Sequence, residues 1–78
     1  MKFKIIPYED REKYCTGFNP LGQNQSDEEL KAEIIRKASA YLDFGGIKKS
    51  IKILDKIDIQ KLRDKEITIQ VEDFYFVV

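Results

Sequence analysis

The last five residues of this 78-residue chain constrain its fold more than any other feature. They read Phe-Tyr-Phe-Val-Val, so a strand over 74–78 is apolar on both of its faces. Such strands are typical of positions that are covered above and below. Just before it, Ile67, Ile69 and Val71 alternate with polar residues, as in a strand with one solvated face. Together the two segments predict a sheet whose final strand needs cover on both sides.

The clearest element between the two ends of the chain is a helix. Ser26 and Glu29 have the spacing of a capping box, in which each side chain binds the other residue's backbone amide. The apolar residues that follow have the spacing of one helix face: Leu30, Ile34, Ile35, Ala38, Tyr41 and Leu42. The glycine pair 45–46 suits a C-cap, because glycine tolerates the left-handed conformation. We therefore predict a helix over 27–44.

The chain before this helix predicts one strand and then irregular structure. Phe3 and Ile5 alternate with lysines and predict a strand that ends at Pro7. Residues 8–16 fit either a hairpin tip or a loop, because a charged run lies between aromatic residues. The Gly, Pro and amide residues of 16–25 predict a loop.

The chain after the helix predicts further strands. Ile51 and Ile53 alternate with polar residues, which predicts a strand over 49–54. Residues 58–62 fit either a capped helical turn or a continuing strand, and 63–65 fit a turn.

These elements predict an α+β fold. Its expected form is one amphipathic helix packed on a small mixed or antiparallel sheet of three or four strands. A β-grasp-like order is one way to connect them. Residues 1–78 predict a single domain, because the chain is short and has no repeat, linker or low-complexity segment.

One long helix can cover only one face of such a sheet. The loop 8–25, a turn near 58–64 or another protein must cover the second face. A bare apolar strand favours aggregation, so the last case predicts a protein partner or a homodimer through the C-terminal strand. The candidate partner-binding residues at this strand are Glu72, Asp73, Phe74, Tyr75 and Phe76, with the last two as aromatic anchors. The alternative surface is the acidic helix face, with Glu28, Glu29 and Glu33.

The residue types argue against catalysis. The chain has no His and only one cysteine, Cys15, so a His-dependent triad and an internal disulfide are both excluded. No residue spacing matches a metal site, and 45–46 lacks the pattern of a phosphate loop. We therefore expect no enzyme activity, no cofactor and no metal. The leading hypothesis is a small protein-binding module: a regulator, an inhibitor or an assembly partner.

The segment 47–65 carries a local excess of basic residues and predicts an alternative function. Lys48, Lys49 and Lys52 could contact the phosphates of a nucleic acid without sequence preference. A sequence pI near 6.2 argues against this, because nucleic-acid-binding domains are strongly basic. The simpler interpretation is that these lysines decorate the solvent face of a strand and protect its edge.

A third hypothesis is a sequestering protein that binds a small ligand. Its binding residues would come from the first loop: Tyr8, Tyr14, Asn19, Gln23 and Asn24.

The sequence also predicts a compartment. No apolar stretch approaches the roughly 18 residues of a spanning helix, and 1–7 lacks the apolar core of a signal peptide. We therefore expect no membrane association and a cytoplasmic location. Lysine outnumbers arginine and isoleucine is abundant, which hints at a bacterial or phage genome.

Overall fold

The structure, a computed structural model, describes residues 3–78 and has an α+β fold with a small mixed sheet. The strands are β1 (Phe3–Pro7), β2 (Gly17–Pro20), β3 (Ile67–Val71) and β4 (Phe74–Val77). The α-helices are α1 (Arg11–Tyr14), α2 (Asp27–Ala38), α3 (Phe44–Lys56) and α4 (Ile59–Arg63). Single 3-10 turns over Tyr8–Asp10 and Ser39–Tyr41 precede α1 and follow α2. The fold class and the strands at 3–7, 67–71 and 74–77 are as predicted; the lysine at position 2 lies outside the described residues.

The strand order is β1-β3-β4-β2. β3 pairs antiparallel with both β1 and β4, while β2 runs parallel to β4. The doubly apolar strand β4 therefore has a neighbour on each side. The first two strands lie at opposite edges of the sheet, so they do not form the N-terminal hairpin of a β-grasp arrangement.

The predicted capping box begins α2. The amide of Glu29 donates to Ser26 Oγ at 3.2 Å, and the amide of Ser26 donates to Glu29 Oε1 at 3.0 Å. The hydrogen bond from the Ser26 amide, followed by the interaction with the Ser26 side chain, holds the pKa of Glu29 below its ordinary value. The helix start at Asp27 is confirmed.

The predicted end of this helix is wrong. α2 ends at Ala38, and a 3-10 turn leads to extended backbone at Leu42 and Asp43. The Asp43 carboxylate accepts a hydrogen bond from the amide of Gly46 at 2.7 Å and so caps the next helix. The glycine pair thus lies in the first turn of α3, where the absence of a side chain leaves room for the capping carboxylate.

The predicted strand over 49–54 is also wrong, because this segment is part of α3. Its buried residues, Ser50 and Leu54, are four apart, which is the spacing of one helix face. Ile51, on which the strand prediction relied, is 44% exposed. The lysines of this segment therefore lie on a helix and protect no strand edge. At 58–62 the helical alternative is confirmed, since Asp58 caps α4.

The main core lies between the sheet and the helices α2, α3 and α4. Its buried residues are Phe3, Leu21, Leu30, Ile34, Ala38, Leu54, Ile59, Leu62, Ile69, Val71 and Phe76. We call this the helix side of the sheet. In the part of the chain that the structure describes, no helix has the length and apolar character needed to cross a membrane.

Candidate functional site

The face of the sheet opposite the main core is covered only in part. Ile6 and Thr68 are a cross-strand pair on this face, and both are buried. Their cover is the segment 8–15, in which Cys15 is also buried. This segment is held to the sheet by the Gln70 side-chain amide, which donates to the carbonyl of Tyr14 at 3.3 Å. The start of the loop 8–25 therefore closes the β1 and β3 half of the face.

The other half of this face, on β4 and β2, has no such cover. In the parallel register Phe18 is opposite Tyr75 and Pro20 is opposite Val77, so these four side chains share one face. We call this surface the open sheet face. Phe18 is 64% exposed, Pro20 is exposed, and Tyr75 and Val77 are partly buried. The open sheet face is apolar, and none of these four residues carries a charge.

Tyr75 is held in place by aromatic contacts on both sides. Its ring centroid lies 6.2 Å from that of Phe18 and 6.4 Å from that of Tyr8, the second contact being edge to face. The Arg11 guanidinium lies 4.1 Å from the centroid of the Tyr8 ring and 5.9 Å from that of Tyr75. Aromatic and cation–π contacts of this kind fix ring orientation, so Tyr75 is a rigid part of the surface.

The outer edge of β2 offers little backbone for pairing. The amide of Leu21 donates to the carbonyl of Val77, and that of Gly17 to Asp73, so alternate residues of β2 point toward β4. Phe18 and Pro20 consequently present their backbone groups outward. Pro20 has no N–H, and its carbonyl accepts a hydrogen bond from Lys37 Nζ at 2.7 Å. The outer edge of β2 is therefore a poor site for the pairing of a further strand.

A carboxylate on α2 positions the chain that follows β2. Glu33 Oε1 accepts from the Gln25 side chain at 2.7 Å and from the amide of Gly22 at 2.8 Å, and Lys37 Nζ lies 3.0 Å from Oε2. The hydrogen bond from Gln25, followed by those from Gly22 and Lys37, lowers the pKa of Glu33 from 4.5 to about 2. This network ties the end of the edge strand to the helix side.

The structure separates the predicted residues of the terminal segment. Glu72 and Asp73 form the exposed turn between β3 and β4, where Asp73 accepts a hydrogen bond from the Thr16 hydroxyl at 3.2 Å. Phe74 and Phe76 point to the helix side, and Phe76 is 1% exposed, so it is a core residue in the folded chain. Only Tyr75 reaches the open sheet face, because alternate side chains of a strand point in opposite directions.

The three residues of the predicted acidic helix face make contacts within the chain. Glu29 is engaged in the capping box, and Glu33 holds the segment 22–25. Glu28 is exposed, with Lys31 Nζ 3.9 Å from its carboxylate. All three residues therefore have partners within the chain.

The lysines proposed for nucleic-acid binding are exposed on α3. Lys48 lies over the Phe44 ring, with Nζ 4.9 Å from the ring centroid. Because successive residues of a helix are rotated by about 100°, the three lysines fall within an arc of about 100°, with Lys52 between Lys48 and Lys49. They therefore share one side of α3.

The residues of the small-ligand hypothesis are dispersed. Tyr8 and Tyr14 belong to the segment on the face opposite the main core, whereas Asn19 alternates with Phe18 and points to the helix side. Gln23 and Asn24 are exposed in the connection between β2 and α2.

Sequence reasoning missed the residues that dominate the open sheet face, Phe18 and Pro20. Their segment is rich in turn-forming residues, and its pairing depends on a strand almost sixty residues away. One sequence signal could have predicted them. The C-terminal strand is apolar on both faces and needs neighbours, and the short segment before α2 contains an aromatic residue that could pack beside it.

Two further observations bear on chemistry. Burial, followed by the charge of Asp73, raises the pKa of the Cys15 thiol, which disfavours the reactive thiolate. Among residues 3–78, no three Cys, Asp or Glu side chains are grouped so that they could hold a metal ion. In comparisons with known proteins, the chain matches no family model, no curated protein and no solved structure.

Proposed function

We propose that this chain is a small protein-binding module whose open sheet face binds a second copy of the chain. The observation that carries the proposal is the apolar, uncharged surface around Phe18 and Tyr75. The chain covers the β1 and β3 half of this sheet face and leaves the half with Phe18 and Tyr75 open. Contiguous exposed apolar surface is typical of protein interfaces, and rigid aromatic side chains supply much of their binding energy.

Charge supports a second copy as the partner. The formal net charge of the chain is zero, so two copies do not repel each other over long distances. The four side chains of the open sheet face are uncharged, so none of them loses an ionic hydration shell when two such faces meet. The Arg11 guanidinium lies at the border of this face, 5.9 Å from the Tyr75 ring centroid.

The geometry favours packing of face on face. β4 is paired on both sides by β2 and β3, so it has no free edge for a strand of another molecule. Two sheets can instead pack through their side chains at a separation of about 10 Å. The C-terminal strand would then contribute Tyr75 and Val77, and β2 would contribute Phe18 and Pro20.

In this proposal the dimer is the active form of a regulator, an inhibitor or an assembly partner. A cytoplasmic location, in a bacterium or in a cell infected by a phage, agrees with the buried, unpaired thiol of Cys15.

The test is the solution mass by light scattering, from about 10 µM to about 1 mM, a range that detects weak dimers. We expect a dimer for the unmodified chain and a monomer for Phe18→Asp, which places a charge in the interface. Phe44→Asp is the matched control, because Phe44 is 73% exposed but lies on a helix of the other side. A monomeric mass for the unmodified chain over the whole range would contradict the proposal, as would an unchanged dimer for Phe18→Asp.

A further inference from the structure

A second uncovered surface lies on the helix side, where α2 and α3 border a groove of about 420 Å³. Its floor is apolar and consists of Ala32, Ile35, Ile51 and Leu54. Ile51 is 44% exposed although it is a large apolar residue. Phe44 lies seven residues before Ile51 and so projects from the same side of α3, which extends the apolar surface along the helix.

The charges at the two ends of the groove have opposite signs. Only residues 39–43 connect α2 to α3, and neighbouring helices joined by so short a connection run antiparallel. Glu28 near the start of α2 is therefore close to Asp55 near the end of α3. Lys31 also lines this end and lies 3.9 Å from the Glu28 carboxylate, so Asp55 supplies the uncompensated charge that makes this end acidic. Arg36, near the end of α2, is close to the first half of α3, where Lys48 projects beside Ile51 and completes a basic end.

The basic end has no counter-ions of its own. Lys31, Lys37 and Arg63 each lie within ion-pair distance of a carboxylate. Arg36 and Lys48 are exposed, and neither forms an ion pair with any residue in the range 3–78. At the acidic end, the Asp55 carboxylate is likewise exposed and unpaired among those residues. Unpaired charges of opposite sign at the two ends of an apolar groove are complementary to a ligand that is apolar in the middle, acidic at one end and basic at the other.

We propose that this groove binds an amphipathic α-helix of a partner protein. The apolar stripe of that helix packs on Ile35 and Ile51, its acidic end meets Arg36 and Lys48, and its basic end meets Glu28 and Asp55. Helices commonly bind such grooves through apolar residues at i, i+3, i+4 and i+7, while charges at the rim set the orientation. The groove and the open sheet face are on opposite sides of the sheet, so this inference does not depend on dimer formation.

The experiment uses a synthetic amphipathic peptide of about four helical turns, a length that spans the roughly 12 Å from Glu28 to Arg36. The peptide carries a leucine stripe, glutamates in its first turn and lysines in its last. Fluorescence anisotropy at low salt measures its affinity for the full chain. We expect saturable binding by the unmodified chain, and a loss of binding for Ile51→Asp, whose exposed position tolerates the change.

Charge reversal then tests the ends of the groove. The double variant Arg36→Glu and Lys48→Glu, which makes both ends acidic, is expected to bind the peptide roughly tenfold more weakly. Adding Glu28→Lys and Asp55→Lys exchanges the two ends, and binding is expected to return, because the peptide can bind in the opposite direction. Recovery of binding would also show that the first double variant is not simply misfolded.

The matched control is Lys49→Glu, which changes the charge by the same amount one residue after Lys48. Lys49 lies about 160° from Ile51 around α3, so its reversal is expected to leave the affinity unchanged. Equal losses for Lys48→Glu and Lys49→Glu would overturn the proposal, because the effect would then come from overall charge. No binding by the unmodified chain, or a vesicle or nucleic acid competing equally with the peptide, would overturn it too. Phe18→Asp is expected to retain peptide binding, which separates this site from the proposed dimer.

Discussion

The two sides of the sheet are built from the same strands but are closed to very different degrees. On the helix side, Phe3, Ile69, Val71 and Phe76 are at most 1% exposed under three helices. On the other side the cover is the segment 8–15, and Phe18 remains 64% exposed beyond it. The difference teaches that apolar residues on both faces of a strand indicate that both faces need cover, but they do not indicate how much of that cover the chain itself supplies. Two adjacent residues of β4 illustrate this: Phe76 is buried on the helix side, and Tyr75 is only partly buried on the other side.

The largest effect is expected on the helix side, for Phe76→Asp. The substitution puts a carboxylate in a closed core and should cost more than about 4 kcal/mol, much of the stability of a domain this size. We expect loss of cooperative unfolding in urea, measured by circular dichroism. Tyr75→Asp is the adjacent comparison, and it should remain folded. If the Phe76→Asp variant remained folded, position 76 could not be more tightly enclosed than position 75, which would contradict the difference between the two sides of the sheet.

The next effect concerns the connection between the two sides, through Glu33. Its folded pKa of about 2 lies below the ordinary value of 4.5, so its contribution to stability is complete above about pH 4.5 and is lost as the pH falls toward 2. Glu33→Gln should cost about 2 kcal/mol at pH 7, and the difference from the unmodified chain should shrink over this range. Urea denaturation at several pH values measures it, and a difference independent of pH would contradict the assignment.

A smaller effect is expected at the start of α2, which lies on the closed side. Ser26→Ala removes the side-chain cap of the Glu29 amide and should lower the free energy of unfolding by about 1 kcal/mol. The midpoint of urea denaturation measures the change, and Ser26→Asp, which can still cap, is the control. An unaltered midpoint for Ser26→Ala would show that the capping box contributes nothing to stability.

The smallest effect is expected on the open side, for Phe18→Ser. Phe18 is exposed, so the stability of the monomer should change by no more than about 0.5 kcal/mol. The measurement is thermal unfolding at a concentration low enough to keep the chain monomeric. A loss comparable to that of a core substitution would mean that Phe18 is part of the fold and not of a binding surface.

Local signals in the sequence predicted the elements that depend on local interactions. The capping box needs only Ser26 and Glu29, which are three residues apart, and it fixed the start of α2. The strands β1, β3 and β4 showed an alternation or an apolar run that tertiary contacts did not override. The closed side of β4 was predictable for the same reason, as Phe76 illustrates.

The elements that were missed depend on contacts elsewhere in the chain or on a competing pattern. In α3, Ile51 and Ile53 alternate with polar residues as in a strand, but the helix buries Ser50 and Leu54 instead. A glycine pair such as 45–46 is typical of the end of a helix. Only the cap by Asp43 shows that this pair begins one. β2 has almost no strand pattern in its own sequence. It is a strand because it pairs with β4, which supplies its hydrogen bonds.

The edges of the sheet have a consequence for the size of any assembly. β2 ends at Pro20, whose carbonyl is already bound by Lys37, and Phe3 on β1 is fully buried beside α3. Both edges are therefore unfavourable templates for a long strand from another molecule. We expect growth by repeated strand addition, the route to fibrils, to be disfavoured. The proposed contact through the open sheet face would occupy that face in each copy, so association is expected to stop at a closed pair even at high concentration.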